Sequence, residues 1–167
     1  MSLEEHKSKP PLTVHCVVLS ITDSRSVDHD TDGRIIESLL HEKGHEVVYR
    51  RIIKNDPSAI KEAIAEALAD EECEAIITAG GTGVSRKDVT YTTLSKLYEE
   101  PLPGFGEVFR NLSYEEIGSA AILSRASAGI IEGHPVFSLP GSTGAVRLAM
   151  NELILPELSH IVGELRK

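Results

Sequence analysis

The sequence predicts an α/β fold: a three-layer sandwich with a mostly parallel central sheet and helices on both faces. Three observations carry that expectation. Short β-branched runs alternate with segments whose apolar residues recur at helical spacing, giving strand, helix, strand, helix, strand within about 70 residues, the pattern of a parallel sheet. The 167 residues suit one domain, and no linker, internal repeat or low-complexity stretch divides them. Hydrophobic residues make up 41% and charged residues 26%, a globular rather than a disordered composition. With no Trp, three Phe and four Tyr, the core must be aliphatic.

Residues 1–12 are charged, end in Pro10-Pro11 and read as a flexible N-terminal extension; residues 13–167 form the single domain. Thr13 to Ile21 is β-branched and too short for a buried helix, hence a central strand. The loop from Thr22 to Thr31 is too polar for a core. A helix starts near Asp32, with Ile35, Ile36, Leu39 and Leu40 on one face and Gly44 as its stop. His45 to Ile53 is the second strand. Asp56 then suits a helix N-cap and Pro57 the first helical position, with Ala59, Ile60, Ala63, Ile64, Ala67 and Leu68 on the buried face. Ala75 to Thr78 is the third strand. Beyond Gly80-Gly81-Thr82-Gly83 a short helix spans Thr90 to Glu99 and stops at Pro101 and Pro103. Helical segments follow at Glu107 to Ile117 and Ala120 to Arg125. Strands at Ala128 to Ile131 and Pro135 to Leu139 flank Glu132-Gly133, a helix runs from Thr143 to Leu155, and Pro156 opens the last one.

Several function classes are excluded or demoted. Seventeen basic against 26 acidic residues leave a net charge of -9, which repels nucleic-acid backbones at long range, so no nucleic-acid partner is expected. No apolar run approaches the roughly 18–20 residues of a membrane span, and the N-terminus lacks a secretory pattern, so no membrane partner and a cytoplasmic location are expected. Cys16 and Cys73 lack metal-type spacing and read as reduced structural thiols. The P-loop pattern, a dinucleotide G-x-G-x-x-G after the first strand, G-x-S-x-G and H-x-x-x-H pairs are all missing.

What remains is a site built on glycines and carboxylates. Ligands of open parallel sheets bind beyond the carboxyl ends of the strands. Three loops fall there: the one after Ile21, Gly80 to Asp88, and Pro140-Gly141-Ser142. Glycines let backbone N–H groups approach phosphate oxygens, and hydroxyls donate further bonds. Each loop alone is also a plain turn; their convergence is the stronger signal. Asp88, beside Arg86 and Lys87, reads either as a helix cap or surface ion pair, or as a ligand of Mg2+. Asp56 reads either as the N-cap or as a second acid at the site. Magnesium bound to a polyphosphate needs only one or two carboxylates, the rest of its shell being phosphate and water.

The run Thr78-Ala79-Gly80-Gly81-Thr82-Gly83 followed by Ser85-Arg86-Lys87-Asp88-Val89-Thr90 resembles the signature of the MoaB/MogA family of molybdenum cofactor biosynthesis proteins. Pro103-Gly104-Phe105-Gly106-Glu107, Leu123-Ser124-Arg125-Ala126 with Ala128-Gly129, and Leu139-Pro140-Gly141-Ser142 resemble further blocks of it, and Gly104 to Gly118 is most similar to the MoaB branch. The resemblance runs from about Val14 to the end of the chain. It implies a homotrimer or homohexamer, the ligand molybdopterin and, in active members, its adenylylation by ATP and Mg2+ to adenylyl-molybdopterin and pyrophosphate before metal insertion, which implies a metal-insertion partner protein. Residue by residue, it makes Asp56 and Asp88 the catalytic acids, with Asp88 on the metal. It makes Gly80, Gly81, Thr82 and Gly83 the phosphate cradle. Ser85, Gly104, Gly106, Glu107, Pro140, Gly141 and Ser142 would complete the nucleotide and pterin pocket, together with Thr22, Asp23 and Ser24. Active relatives usually carry Arg immediately before the aspartate, where this chain has Lys87 with Arg86 one step earlier. Lys keeps the charge and loses the planar bidentate fork. The family also contains members that bind without adenylylating, so a non-catalytic molybdopterin-binding protein is the alternative. The retained Asp88-Val89-Thr90 favours the enzyme.

Overall fold

The computed structural model describes residues 12–167; the expected extension, apart from Leu12, lies outside the described residues. The elements in chain order are β1 (His15–Ile21), a 3-10 turn (Val27–His29), α1 (Thr31–Glu42), β2 (Glu46–Ile53), α2 (Pro57–Ala69), β3 (Ala75–Ala79), α3 (Thr90–Ser95), β4 (Glu100–Pro101), α4 (Pro103–Ile117), a second 3-10 stretch (Gly118–Leu123), β5 (Ser127–Ile131), β6 (His134–Leu139), α5 (Thr143–Ala149), a π-helical turn (Met150–Ile154) and α6 (Leu155–Leu165). The six strands form one sheet in the order β2-β1-β3-β6-β5-β4. The first four pair in parallel, and β5 and β4 add an antiparallel edge.

The layering follows from the two-residue period of the strands. Along β1, Cys16 and Val18 point into one core with Ile36, Leu40, Phe109, Met150 and Leu158, the faces of α1, α4, the π turn and α6. Val17, Leu19 and Ile21 point into the other, against Ile60, Ile64 and Ala67 of α2 and Leu94 of α3. Ile77 and Ile76 of β3 divide between the same two cores. Every residue of β3 is buried, as a strand hydrogen-bonded on both sides and covered on both faces requires.

Local chemistry sets the ends. Asp56 caps α2 by accepting the Ala59 N–H at 2.9 Å, with Pro57 in the first turn. Asp30, two residues ahead of the expected helix start, caps α1 through Gly33 N–H. Glu132 and Gly133 carry positive φ angles of 47° and 76° and close the β5–β6 hairpin, as a two-residue turn matched to strand twist demands. Two expectations are corrected. Pro101 lies in β4, tolerated on an edge strand, and Pro103 opens α4 rather than ending the previous helix. The helix entering Pro156 does not stop: it widens into the π turn Met150–Ile154 and continues as α6. Proline has no N–H to offer four residues back, and a wider turn accommodates its ring. No helix among the described residues is long and apolar enough to cross a membrane.

His45 ties the entry of β2 to that of β1. It is 4% exposed, and its Nδ1 accepts the Val14 N–H at 3.1 Å. Burial holds its pKa below the ordinary 6.5. The unfolded chain therefore takes up a proton before the folded one does. The contribution of neutral His45 is complete above pH 6.5 and is lost as pH falls towards the depressed folded value. Urea denaturation from pH 7.5 to 5 will give a falling unfolding free energy below about pH 6.5, and His45→Asn will flatten that segment of the profile.

Candidate functional site

The carboxyl ends of β1, β3 and β6 open on a cleft of about 660 Å³. Its walls are the three expected loops: Thr22, Asp23, Ser24 and Arg25 after β1; Gly80 to Gly83 with Lys87 and Asp88 after β3; and Pro140 with Gly141 after β6. Asp32 from α1, Asn55 after β2, and Leu123 with Ser124 ahead of β5 complete it.

The glycine loop has its shape because the chain turns hard against β1. Gly80 has φ +110°, and a side chain there would collide with the Ile21 carbonyl oxygen. Gly81 has φ +71°, and a Cβ on it would collide with the Thr90 hydroxyl. Both conformations are ones that only glycine takes without strain. Thr90 is the inner peg of the turn: its hydroxyl donates to the Gly80 carbonyl at 2.9 Å and its N–H to the Gly81 carbonyl at 3.0 Å. Gly80 N–H in turn donates to the Leu139 carbonyl at 2.9 Å, joining the loop to the end of β6.

Two further contacts stitch the loops together. Asp23 Oδ1 accepts the Asn55 N–H at 3.0 Å, and Asn55 Oδ1 accepts the Val89 N–H at 3.4 Å. Arg125 clamps the far side. Its Nε and Nη2 donate to the Gly83 carbonyl at 3.0 and 2.7 Å, Nη2 donates to the Asp88 carbonyl at 3.0 Å, and the guanidinium lies 5.2 Å from the centre of the Tyr91 ring. Within the turn, Asp88 Oδ2 accepts the Ser85 N–H at 3.2 Å, while Oδ1 makes no hydrogen bond among the described residues.

At the other end of the cleft stands a second buried acid. Asp32, with a side chain 4% exposed, pairs through Oδ2 with Arg25 Nη1 at 2.6 Å, and its buried Oδ1 has no hydrogen-bond partner. Its neighbour Asp30 is fully occupied by Ser20 Oγ at 2.7 Å, Gly33 N–H at 3.1 Å and Arg50 Nη1 at 2.7 Å. The amino end of α1 is thereby faced by its own carboxylates.

Of the residues expected at the site, Thr22, Asp23, Ser24, Gly80, Gly81, Thr82, Gly83, Asp88, Pro140 and Gly141 line this one cleft. Ser85 lines an adjoining hollow of about 320 Å³ that shares Asp88. Ser142 stands next to Gly141 and caps α5 through Ala145 N–H at 3.4 Å. Asp56 does not line the cleft; it is the exposed cap of α2, between Asn55, which lines the cleft, and Pro57, which lines the adjoining hollow. Gly104, Gly106 and Glu107 lie on the first turns of α4, outside the cleft lining. Gly106 is there for packing, since a Cβ would press on the Ala126 carbonyl and the Arg110 guanidinium. Sequence reasoning missed Asn55, Arg125 and the Arg25–Asp32 pair. Asn55 stands directly before Asp56, and Arg125 lies inside a recognised block, but neither position by itself reveals the contact it makes. No group of three or more His, Cys, Asp or Glu among the described residues could hold a metal alone.

Residues 17–160 match the family model described as "Probable molybdopterin binding domain". A molybdenum cofactor biosynthesis protein B of Bacillus subtilis is 47% identical over 168 residues, covering 100% of this chain and 99% of the relative. A crystal structure of a molybdenum cofactor biosynthesis protein B superposes with a TM-score of 0.92 at 46% identity, over 95% of this chain and 99% of that one. The tungsten cofactor synthesizing protein MoaB from Pyrococcus furiosus gives 0.84 at 37% identity, over 95% of this chain and 100% of that one. A six-stranded sheet with these three loops on one rim, matched in sequence across almost its whole length, places the chain in the MoaB/MogA family of molybdenum cofactor biosynthesis proteins.

Proposed function

We propose that the protein is a molybdopterin adenylyltransferase, transferring the AMP moiety of ATP to the terminal phosphate of molybdopterin. The observation that carries the reading is the convergence of glycine-loop amides and Asp88 in one cleft roomy enough for two anionic ligands. A phosphate monoester oxygen attacks the α-phosphorus, the bond from that phosphorus to the bridging oxygen breaks, and pyrophosphate leaves. The nucleophile is already ionised at neutral pH, so the site needs no proton-abstracting base. Its tasks are alignment and neutralisation of charge.

The residues fit a magnesium ion. Asp88 has one oxygen committed to Ser85 and one uncommitted, which suits a cation bound mainly by substrate phosphates and water. Bound there with ATP, Mg2+ would neutralise phosphate charge. Lys87 would support that neutralisation from the same wall, and the N–H groups of Gly81, Thr82 and Gly83, which line the cleft, would supply backbone donors. Asp56, as the cap of α2, acts on the site indirectly, by fixing the segment that carries Asn55. Exposed apolar residues on α4 and the stretch behind it (Val108, Tyr114, Ile117, Ile122) suit the trimeric or hexameric assembly that the family resemblance implies. The second reading, a molybdopterin-binding protein without catalysis, is favoured by Lys87 standing where active relatives carry Arg.

Incubation with molybdopterin, ATP and Mg2+ separates the two: an enzyme releases pyrophosphate in proportion to adenylyl-molybdopterin formed, and a carrier releases none. Asp88→Asn will lower kcat by roughly 100-fold or more while molybdopterin still binds; unchanged turnover would remove Asp88 from the mechanism. Arg125→Lys, which cannot span the Gly83 and Asp88 carbonyls together, will cost about 1–3 kcal/mol of stability in urea denaturation and lower kcat/KM.

A further inference from the structure

The hollow beside the main cleft has no role so far. It lies between the first turn of α2, α3 and the 84–89 turn, and Arg125 closes it. Its lining is unlike the rest of this acidic chain. Lys61, Arg86, Lys96 and Arg125 surround it, with the hydroxyls of Ser85, Thr92 and Thr93, and the single carboxylate among the lining residues is Asp88. Asp56 caps the same helix from outside the lining. Among the described residues, Lys61, Arg86 and Lys96 form no ion pair and no side-chain hydrogen bond, whereas Arg50, Arg51 and Arg166 are all paired. Three uncommitted cations round one hollow, in a chain of net charge -9, form a local field of the opposite sign. The Debye length of about 8–10 Å lets it act independently of the distant acids.

The main cleft has the contrary balance. Its lining carries Arg25 and Lys87 against Asp23, Asp32 and Asp88, and Arg25 is already spent on Asp32. Side chains there cannot offset a triphosphate as well as a phosphate monoester. Asp88 and the turn that holds it are common to both hollows, so a phosphate chain whose first phosphorus lies at Asp88 has its counter-charge on the other side of that turn.

We propose that the second hollow is a pyrophosphate subsite, which takes the two terminal phosphates of the nucleotide and then the pyrophosphate that departs. The assignment rests on the adenylyl-transfer reading for its biological role, but the binding it asserts is measurable without turnover. Isothermal titration of the magnesium-free protein with inorganic pyrophosphate tests it. Lys61→Gln with Lys96→Gln will weaken pyrophosphate binding by about tenfold per lysine, leaving molybdopterin affinity and the melting temperature unchanged. Lys43→Gln, which removes the same charge beyond the end of α1, will leave pyrophosphate affinity unchanged. Equal affinity in the double variant and the wild type, an equal loss in Lys43→Gln, or pyrophosphate binding no tighter than orthophosphate would overturn the subsite. A wild-type protein that makes no adenylyl-molybdopterin but loses pyrophosphate in the double variant would retire the enzyme reading alone. Normal turnover with unchanged product inhibition by pyrophosphate in that variant would retire the subsite alone.

Discussion

The site depends on how closely the chain leaving β3 passes over the end of β1. At Gly80 the backbone lies where a side chain would meet the Ile21 carbonyl, and at Gly81 where it would meet the Thr90 hydroxyl. That approach brings the loops after β1 and β3 to one rim, and the Gly80 N–H bond to Leu139 adds the loop after β6. A parallel sheet puts the ends of all its strands on one edge in any case. What glycine contributes is the absence of the side chains that would hold those loops apart.

Electrostatics sorts the surroundings of that rim. An acidic protein that handles anionic ligands must keep its carboxylates away from the phosphates or occupy them. The acids near the rim are at least partly engaged: Asp30 by Arg50, Ser20 and the Gly33 N–H, Asp32 through one oxygen by Arg25, and Asp23 through one oxygen by the Asn55 N–H. Asp88 likewise has one oxygen engaged, by the Ser85 N–H, and unlike Asp32 it has no cation paired to it among the described residues.

Most of the fold was legible because it follows from period and punctuation. Strands β1 to β3 and their two helices announce themselves by β-branched runs, one-face spacing and the Asp56-Pro57 opening. The misreadings have a common cause. Pro101 and Pro103 read as helix stops, and Pro156 as the opening of a separate helix rather than of one that continues through a π turn; proline also sits on edge strands and opens helices, and which of these it does is decided by its neighbours in space. The site was legible to the extent that glycine loops and topology define it. Arg125 was not legible as a clamp, because its value lies in two carbonyls some forty residues back in the chain, at Gly83 and Asp88. Asp32 was equally hidden: in the sequence it is one acid among several at a helix start, and only burial with an unpartnered oxygen separates it from the rest.

The residue before Asp88 bears on whether such a site can catalyse. Arg86 and Lys87 are adjacent in sequence but line different hollows, Lys87 the main cleft and Arg86 the adjoining one. Arg86 therefore does not substitute for an arginine at position 87, and the cleft has a point charge instead of a planar fork. A fork matters where a side chain must both neutralise a phosphate and set its direction. In the proposed reaction direction would fall to the amides of Gly81 to Gly83, in a loop held by Thr90 and Arg125, so that charge would be what remains for the side chain to supply. Lysine would meet that requirement, and a main-chain cradle is the circumstance in which the exchange would cost least.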